Sequence, residues 1–377
     1  MAANQQELSY DRILLLVTFL LVGIGLVMVF SASFVVAEET RGDPYYFLKR
    51  QAMWIALGLM VMYFFSRFQY KYLRKFSLII LLLNFVLLGL IFSGFGSDLG
   101  TEAKRWLVFG PVTIQPSEFS KLAFVIFTAA YMSSRRLNLR SFWTGSFVPL
   151  FLVAIAFFMI QFQPDLGTAI VVLAATALVI VFAGMPVYQM FGLGLISLPP
   201  LAYFTVKEDY RVQRLFTFVD PWADSSGAGY QIIQSLYALG PGNIFGVGLG
   251  RSTQKLFYLP EPHNDFIFAV IGEELGFVGA VSVLLLYLVL VWRGFLIAQR
   301  APDLFGSLLA GGITFILAVQ VIINVGVVTG SVPVTGINLP LISAGGSSVF
   351  FTLLSLGILL NISKYGQINA LSKGSTL

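Results

Sequence analysis

Long apolar runs separated by short polar stretches are the main pattern along this chain. A helix needs about 20 mostly apolar residues to cross a bilayer. The runs are Ile13–Ala37, Ala52–Ser66, Phe76–Ser97, Ser117–Ser134, Ser141–Pro164, two parts of Leu166–Val206 divided at Gly184-Met185-Pro186, Phe266–Trp292, and two parts of Leu304–Ser363 divided near 330–340. The pattern predicts an all-α integral membrane protein with ten transmembrane helices in a single membrane domain.

Basic residues predict the orientation of this domain. An even number of spans puts both chain ends on one side, and the side rich in Lys and Arg is cytoplasmic. The polar stretches on the side of the N-terminus carry Arg67, Lys71, Arg74, Lys75, Arg135, Arg136, Arg140, Arg293, Arg300, Lys364 and Lys373. We therefore expect residues 1–12 and 366–377 to be cytoplasmic ends.

Residues 207–264, between the seventh and eighth predicted helices, form the one long loop, and the charge rule puts it on the extracytoplasmic side. The loop contains five basic and five acidic residues. Long loops in compact domains are usually functional. Within it, Tyr230–Leu239 has the pattern of an interfacial amphipathic helix.

Composition excludes several classes of function. Hydrophobic residues make up 57% of the 377 residues and charged residues 11%, whereas soluble domains have about 25% charged residues. Absence of Cys excludes thiolate chemistry, and the single His argues against a multi-His metal centre. The net charge of +5 reflects membrane orientation and does not indicate nucleic-acid binding.

Acidic and basic residues inside the apolar runs are candidates for function, because charge at membrane depth is costly. Glu118 and Lys121 share a helix face and can pair, either to fix packing or to line a polar cavity. Glu273 and the adjacent Glu274 interrupt the eighth run, and one of them is expected to face a cavity while the other pairs with a base. Asp165 follows a Pro at the outer end of a span.

Asp265 lies where the long loop meets the eighth span. The helix dipole favours its charged form and partial burial opposes it, a combination suited to acid–base chemistry. A simpler alternative is that Asn264 or Asp265 only caps the helix.

Outer basic residues are candidates for binding a phosphorylated headgroup, with interfacial anchoring as the alternative. They are Arg50, Lys104, Arg105, Arg211, Arg214, Arg251 and Lys255. The glycine-rich stretch 343–348 includes Ser343 and Ser347, and it either allows close helix packing or offers amides to an anion. The Gly246–Gly250 stretch lacks the Gly-Lys-Ser/Thr ending of a nucleotide loop.

Motifs spread over nearly the whole chain resemble the SEDS family of shape, elongation, division and sporulation proteins. They are SAS at 31–33, YFLKRQ at 46–51, KRW at 104–106, QPSE at 115–118 with Lys121, QPDLGTA at 163–169, the stretch 228–276 and PVTGINLPLISAGGSS at 333–348. GVGLGRSTQKLFYLPEP is similar to the FtsW/SpoVE branch. The chain departs from the family at Asn264, where Thr is usual, and at Ala344, where Tyr is usual.

The resemblance implies a glycosyltransferase that polymerises lipid II into β-1,4 glycan strands on the outer face of the bacterial cytoplasmic membrane during septal or spore wall synthesis. It implies Asp265 as general base and Glu118 and Lys121 as the family's intramembrane pair, which we expect to shape the cavity next to Asp265. Asp165 and Glu273 are further candidates for supporting this cavity. The resemblance also implies positive charge at the leaving pyrophosphate, from Lys, Arg or a divalent cation such as Mg²⁺ or Mn²⁺. The implied partners are a class B penicillin-binding protein and divisome regulators at the division septum. A lipid II flippase and a non-catalytic scaffold that activates the transpeptidase remain alternatives.

Overall fold

The computed structural model describes residues 10–97, 104–110, 112–134, 142–189, 191–192, 194–195, 212, 216–227 and 229–374. Its helices are α1 Arg12–Arg41, α2 Tyr46–Arg67, α3 Lys71–Leu90, α4 Pro116–Met132, α5 Phe147–Gln161, α6 Leu166–Phe182, α7 Tyr230–Leu239, α8 Ile267–Arg300, α9 Leu304–Val328 and α10 Gly346–Gly374. A π-helical turn, Ile91–Phe95, extends α3, a second, Phe142–Ser146, precedes α5, and a 3-10 turn forms Pro221–Asp224.

Five helices of the described chain are long and apolar enough to cross a membrane: α1, α3 with its extension, α8, α9, and α10 as far as Gly366. Two further apolar helices, α5 and α6, are shorter. The chain is therefore a multi-pass membrane protein. Ten spans remain a prediction, because the part of the chain expected to hold the seventh falls largely outside the described residues.

Several predicted boundaries are confirmed. Helix α6 ends at Phe182, just before Gly184-Met185-Pro186, and α9 and α10 are separated by residues 329–345. Helix α7 covers the predicted amphipathic stretch Tyr230–Leu239. Helix α10 continues past residue 366, where a tail was expected.

A small antiparallel sheet was not expected from the sequence. It consists of β1 Gly96–Ser97, β2 Trp106–Phe109 and β3 Val112–Ile114, in the order β1-β2-β3. Leu107 pairs with Gly96 on one side and with Ile114 on the other. The sheet places Thr113 against α2 and α10, because Arg50 Nη2 donates to Thr113 Oγ1 at 2.5 Å and Ser347 Oγ donates to Thr113 O at 3.1 Å.

Small residues bring α2 and α10 into close contact. A Cβ added to Gly58 would lie 2.5 Å from Leu353 Cδ1, and one added to Gly357 would lie 2.5 Å from the Met62 carbonyl oxygen. Such close helix packing is typical of membrane proteins. At the predicted cytoplasmic end, Asn361 of α10 donates to Ser66 O and accepts from Tyr70 N, at 2.8 and 3.0 Å.

Candidate active site

Residues 331–345, which link α9 to α10, fold back into the middle of the helix bundle. The Leu341 carbonyl oxygen would lie 2.5 Å from a Cβ at Gly25, which is near the centre of α1. The Tyr287 hydroxyl of α8 donates to Pro340 O. The segment therefore reaches the level of the middle of α1.

Asp265 is held against this segment. The consecutive carbonyl oxygens of His263, Asn264 and Asp265 accept hydrogen bonds from Ala344 N, Ser343 Oγ and Asn324 Nδ2 at 2.9, 2.8 and 2.9 Å. The Asp265 side chain is half-buried, and its Oδ2 lies 3.4 Å from the position of a Cβ at Gly336. The backbone on both sides of this carboxylate is thus fixed.

The alternative that Asn264 or Asp265 only caps α8 is wrong. Helix α8 begins at Ile267 with Phe266 as its N-cap, and this cap has no side-chain hydrogen bond. Asn264 Oδ1 is buried without a partner among the described residues, while Asn264 Nδ2 donates to Glu261 Oε2 at 2.5 Å. Neither Asn264 nor Asp265 is therefore the N-cap of α8.

Helix α8 is interrupted at Gly276, which has φ 67° and ψ −167°. This backbone conformation is essentially restricted to glycine. The outer loop fills the gap, because Val247 N and Gly248 N donate to the carbonyls of Glu273 and Glu274 at 3.0 and 3.1 Å. The loop is therefore bound directly to α8 at the break: Gly242, Ser252 and Lys255 are buried there, while most of the residues around them are exposed.

Both glutamates at this break are fully buried and hydrogen-bonded to the same loop. Glu273 accepts from Ser252 Oγ at 2.5 Å and from Thr253 N at 2.8 Å. Glu274 pairs with Lys255, with 2.7 Å between Oε1 and Nζ, and accepts from Ser31 Oγ of α1 at 2.7 Å. The predicted pairing of one glutamate with a base is confirmed, but Glu273 binds the loop and faces no cavity among those described.

Glu118 and Lys121 form the predicted ion pair on α4, with 2.7 Å between Oε2 and Nζ, and both are buried. They line a cavity of about 20 Å³ together with Gln320 of α9 and with Thr352 and Ser355 of α10. A cavity of this size holds about one water molecule. The predicted ion pair is confirmed, but the small cavity is only partly polar, because Leu122, Ile313, Ile316, Leu317 and Phe351 also line it.

Asp165 connects the N-terminal ends of α4 and α6. Its Oδ1 accepts from Thr168 N at 3.2 Å, which caps α6, and its Oδ2 accepts from Gln115 Nε2 and Ser117 Oγ at 2.9 and 3.0 Å. Next to it, a Cβ at Gly167 would lie 2.5 Å from Thr335 O of the folded-back segment. Asp165 is thus a structural support beside the segment that contacts Asp265.

The predicted headgroup-binding residues occupy three kinds of position. Lys104 and Arg251 are exposed, Arg50 contacts Thr113, and Arg105 has a buried Nε without a partner among the described residues. Lys255, Ser343 and Ser347 are buried and make their hydrogen bonds inside the protein. Arg211 and Arg214 lie outside the described residues. Substrate binding by any of them remains a prediction.

His263 lies two residues before Asp265 and is buried against Phe47, with 4.2 Å between ring centroids. Burial lowers the pKa of its imidazole, and the nearby Glu261 carboxylate opposes this shift. His263 is therefore neutral at pH 7.

A cavity of about 310 Å³ is lined by Thr217, Ser226, Gly227, Tyr230, Gln231, Ile232, Pro260 and Val334. Two of these residues belong to the segments that enclose Asp265: Pro260 precedes it by five residues, and Val334 precedes Gly336 by two. The lining combines hydroxyl and amide groups with an aromatic ring.

Among the described residues, no group of three or more His, Asp and Glu side chains could hold a metal ion. No metal site built from three or more such side chains is therefore present in this part of the chain, whereas Mg²⁺ is usually held by one or two carboxylates together with substrate phosphates. A divalent cation remains a prediction.

Sequence reasoning missed Asn324, which is buried in α9 and donates to Asp265 O and to Ile337 O at 2.9 and 2.7 Å. It also missed Gln51 of α2, whose Nε2 donates to Ser343 O at 3.1 Å. Both are neutral polar residues in apolar helices, and that pattern was the available signal because such residues commonly bond across helices.

Comparison with known proteins gives a consistent family. The family model described as cell cycle protein, which covers FtsW, RodA and SpoVE, matches residues 11–368. Stage V sporulation protein E of Bacillus subtilis (strain 168) is 44% identical over 362 residues, which cover 96% of this chain and 99% of that protein. A probable peptidoglycan glycosyltransferase FtsW of Geobacter sp. (strain M18) is 40% identical over 356 residues, covering 94% and 97%.

Solved structures agree with these relatives. A chain of a peptidoglycan synthase complex, in work on the structural coordination of polymerization and crosslinking, superposes with a TM-score of 0.78 at 30% identity and covers 95% of this chain and 98% of that one. The crystal structure of the rod shape determining protein RodA of Thermus thermophilus gives 0.71 at 28% identity, covering 96% and 98%.

Proposed function

The chain belongs to the FtsW, RodA and SpoVE family of cell cycle proteins, and from this premise we propose that it is a peptidoglycan glycosyltransferase that polymerises lipid II with Asp265 as general base. The relatives named probable peptidoglycan glycosyltransferases match 94–96% of this chain, and this supports the proposal.

The accessibility of Asp265 carries the assignment of the base. Glu118, Asp165, Glu273 and Glu274 are all nearly fully buried, and each has a donor or a cation bound to its carboxylate. Asp265 is half-buried, and its backbone is fixed at three consecutive residues. Of these five carboxylates, Asp265 is thus the most accessible to a substrate.

The proposed step is a displacement at the anomeric carbon of the donor sugar. The 4-hydroxyl oxygen of the acceptor GlcNAc forms a bond to this carbon, and its proton goes to the Asp265 carboxylate. The bond from the carbon to undecaprenyl pyrophosphate breaks, and its electron pair leaves with the pyrophosphate. A hydroxyl is a weak nucleophile, so a positioned base is needed.

The cavity of about 310 Å³ beside Pro260 and Val334 is a suitable place for a sugar ring. Ligand pockets begin at about this volume and combine apolar walls with a few polar groups. Exposed Lys104 and Arg251 are candidates for stabilising the charge on the leaving pyrophosphate, because charge-assisted hydrogen bonds are strong. The Glu118–Lys121 pair is assigned to support of the helices behind the site.

Partner and location follow the family. A solved relative belongs to a peptidoglycan synthase complex, and this supports a class B penicillin-binding protein as partner. Divisome regulators are further expected partners. We assign the chain to the bacterial cytoplasmic membrane at the septum or the forming spore, with cytoplasmic termini and the 207–264 loop outside.

The decisive experiment is polymerisation of purified lipid II by the purified chain, with and without its class B penicillin-binding protein and with Mg²⁺ or Mn²⁺ varied. Asp265→Asn and Asp265→Ala are expected to lower the rate at least about 100-fold, as for loss of a general base. Glu39→Gln, at an exposed acid of the outer end of α1, is the control and should retain the wild-type rate.

Two outcomes would favour the alternatives. Lipid II translocation without glycan formation, unchanged in Asp265→Asn, would identify a flippase. Growth and division unaffected by Asp265→Asn, with glycan formation dependent only on the partner protein, would identify a scaffold.

A further inference from the structure

Asn324 makes an unusual pair of contacts. Its side-chain amide donates one hydrogen to the Asp265 carbonyl oxygen and the other to the Ile337 carbonyl oxygen, at 2.9 and 2.7 Å. An amide group has two N–H donors, and both are used here. The orientation of the amide is determined by its surroundings, because the reverse orientation would direct its oxygen at two carbonyl oxygens.

These two carbonyls belong to the two backbone segments that enclose the Asp265 carboxylate. One segment carries Asp265 itself. The other carries Gly336, which precedes Ile337 and whose Cβ position would be 3.4 Å from Asp265 Oδ2. Asn324 therefore bridges the backbone of the base to the backbone that limits where its carboxylate can lie.

The bridge is shielded from water at Asn324 and Ile337 and partly shielded at Asp265. The Asn324 side chain is 1% exposed, and Asp265 O and Ile337 O are each within hydrogen-bond distance of it. Hydrogen bonds in such surroundings are stronger than in water, and a buried carbonyl left without its donor is costly. Loss of the amide would therefore let the two segments shift in order to find other donors.

We propose that Asn324 is a positioning residue for the general base: it fixes the Asp265 carboxylate at the distance and angle that proton transfer requires. The proposal rests on the function assigned to Asp265. Ser343, whose hydroxyl donates to Asn264 O and accepts from Leu339 N at 2.8 Å each, holds the neighbouring peptide of the same segment in the same way. Asn324 contacts no substrate; it acts through Asp265.

The expected effect is on the chemical step rather than on substrate binding. A displacement of about 1 Å at a reacting group can lower a rate about 100-fold. Asn324→Ala removes both donors, and Asn324→Asp keeps the shape but places oxygen where both donors were. We expect both variants to lower kcat for lipid II polymerisation about 10- to 100-fold, with KM within about threefold of wild type.

Asn361 provides a matched control at the opposite end of the bundle. It is also 1% exposed, and it also makes two backbone hydrogen bonds, to Ser66 O and from Tyr70 N. Asn361→Ala should lower the melting temperature by an amount similar to Asn324→Ala and should leave kcat, KM and the pH–rate profile of the folded fraction unchanged.

The pH–rate profile provides a readout that a purely structural role would not change. Its acidic limb reports the ionisation of the base in the complex, so Asn324→Ala and Asn324→Asp should shift this limb relative to wild type and to Asn361→Ala. In an Asp265→Asn background, Asn324→Ala should cause little further loss, because both changes act on one group.

The inference would be overturned if Asp265→Asn abolished polymerisation while folded Asn324→Ala kept the wild-type kcat and acidic limb. It would also be overturned if Asn361→Ala lowered kcat as much as Asn324→Ala. Polymerisation that survives Asp265→Asn would instead overturn the assignment of the base, so the two failures are distinct.

Discussion

Lys255 of the outer loop and Glu274 of α8 form an ion pair inside the protein, with 2.7 Å between Nζ and Oε1 and almost no exposure of either side chain. Ser31 of α1 bonds to both members, at 2.7 Å from Glu274 Oε2 and 3.1 Å from Lys255 Nζ. The pair thus ties the loop to two helices at the level of the break in α8.

Lys255→Met should destabilise the protein strongly, because it leaves the Glu274 charge buried without its cation. Removal of one partner from a buried pair costs about 3–5 kcal/mol. Lys255→Met combined with Glu274→Gln should recover most of this loss, and thermal unfolding in one detergent would measure it. The exposed pair of Lys49 and Asp43 is the control, since Lys49→Met should change stability by less than about 1 kcal/mol.

Gly336→Ala should lower the rate of lipid II polymerisation by more than its loss of stability explains. Gly336 has φ +70°, and a methyl group there would contact Asp265 Oδ2. A non-glycine residue in this conformation costs about 1–2 kcal/mol, and the methyl group should additionally occupy space in van der Waals contact with the carboxylate, where a substrate hydroxyl would approach. Gly42→Ala is matched in φ, at +66°, but a Cβ there has nothing within 4 Å.

Rates and melting temperatures of the two glycine variants separate these effects. Both should show a similar loss of stability, and only Gly336→Ala should lose kcat. Equal rates in the two variants would mean that Gly336 does not limit the position of Asp265.

Gly276→Ala should prevent the outer loop from docking on α8. Its φ and ψ fall in a region that side chains avoid, and a Cβ would lie 2.2 Å from Gly246 N. Strain alone costs about 1–3 kcal/mol, and the overlap adds to it. Gly89→Ala in α3, where nothing lies within 4 Å, should be neutral or slightly stabilising. Protease sensitivity of residues 240–255 in Gly276→Ala would measure the docking, and a protected loop would contradict this prediction.

His263 should make the protein less stable in acid. Burial lowers the pKa of His263 from its usual 6.5, so below about pH 6.5 the unfolded chain binds a proton more readily than the folded protein does. The free energy of unfolding therefore has its full value above pH 6.5. It decreases by up to about 1.4 kcal/mol per pH unit as the pH falls towards the pKa of His263 in the folded protein. Melting temperatures of wild type and His263→Gln between pH 7.5 and 5.5 test this directly.

His263 is the single histidine of the chain, so no other imidazole contributes to the difference between wild type and His263→Gln. His263→Gln should lose the part of the pH dependence that begins near 6.5. An identical pH dependence in both proteins would mean that the imidazole titrates normally.

Apolar runs predicted most helices because a membrane span must satisfy its backbone internally and expose apolar side chains. The end of α6 at Phe182 was visible because the following Gly184-Met185-Pro186 contains two residues that commonly end helices. The sheet at 96–114 was not visible, since its strands have two to four residues and their pairing depends on contacts with α2 and α10.

The chemistry of the site was predictable only in part. Asp265 and the Glu118–Lys121 pair stand out as charges next to or inside apolar runs. The break in α8 at Gly276 does not stand out in the sequence, because one glycine in an apolar run commonly only aids packing. The conformation of Gly276 depends on the loop that fills the gap. Asn324 was missed because a single neutral amide does not show which carbonyls it will meet.

The contact between α2 and α10 has a consequence for biogenesis. The hydrogen bond from Gln51 to Ser343 joins residues that are 292 positions apart in the chain. A ribosome needs about 15–60 s to add that length at roughly 5–20 residues per second. During this interval the Gln51 amide and the surface of α2 around Gly58 are without the partners that Ser343 and Leu353 provide in the folded protein. A nascent chain that stalls before α10 is synthesised therefore lacks these contacts, and we expect it to be degraded. A nascent chain that stalls after α10 has been synthesised can form them, and we expect it to persist.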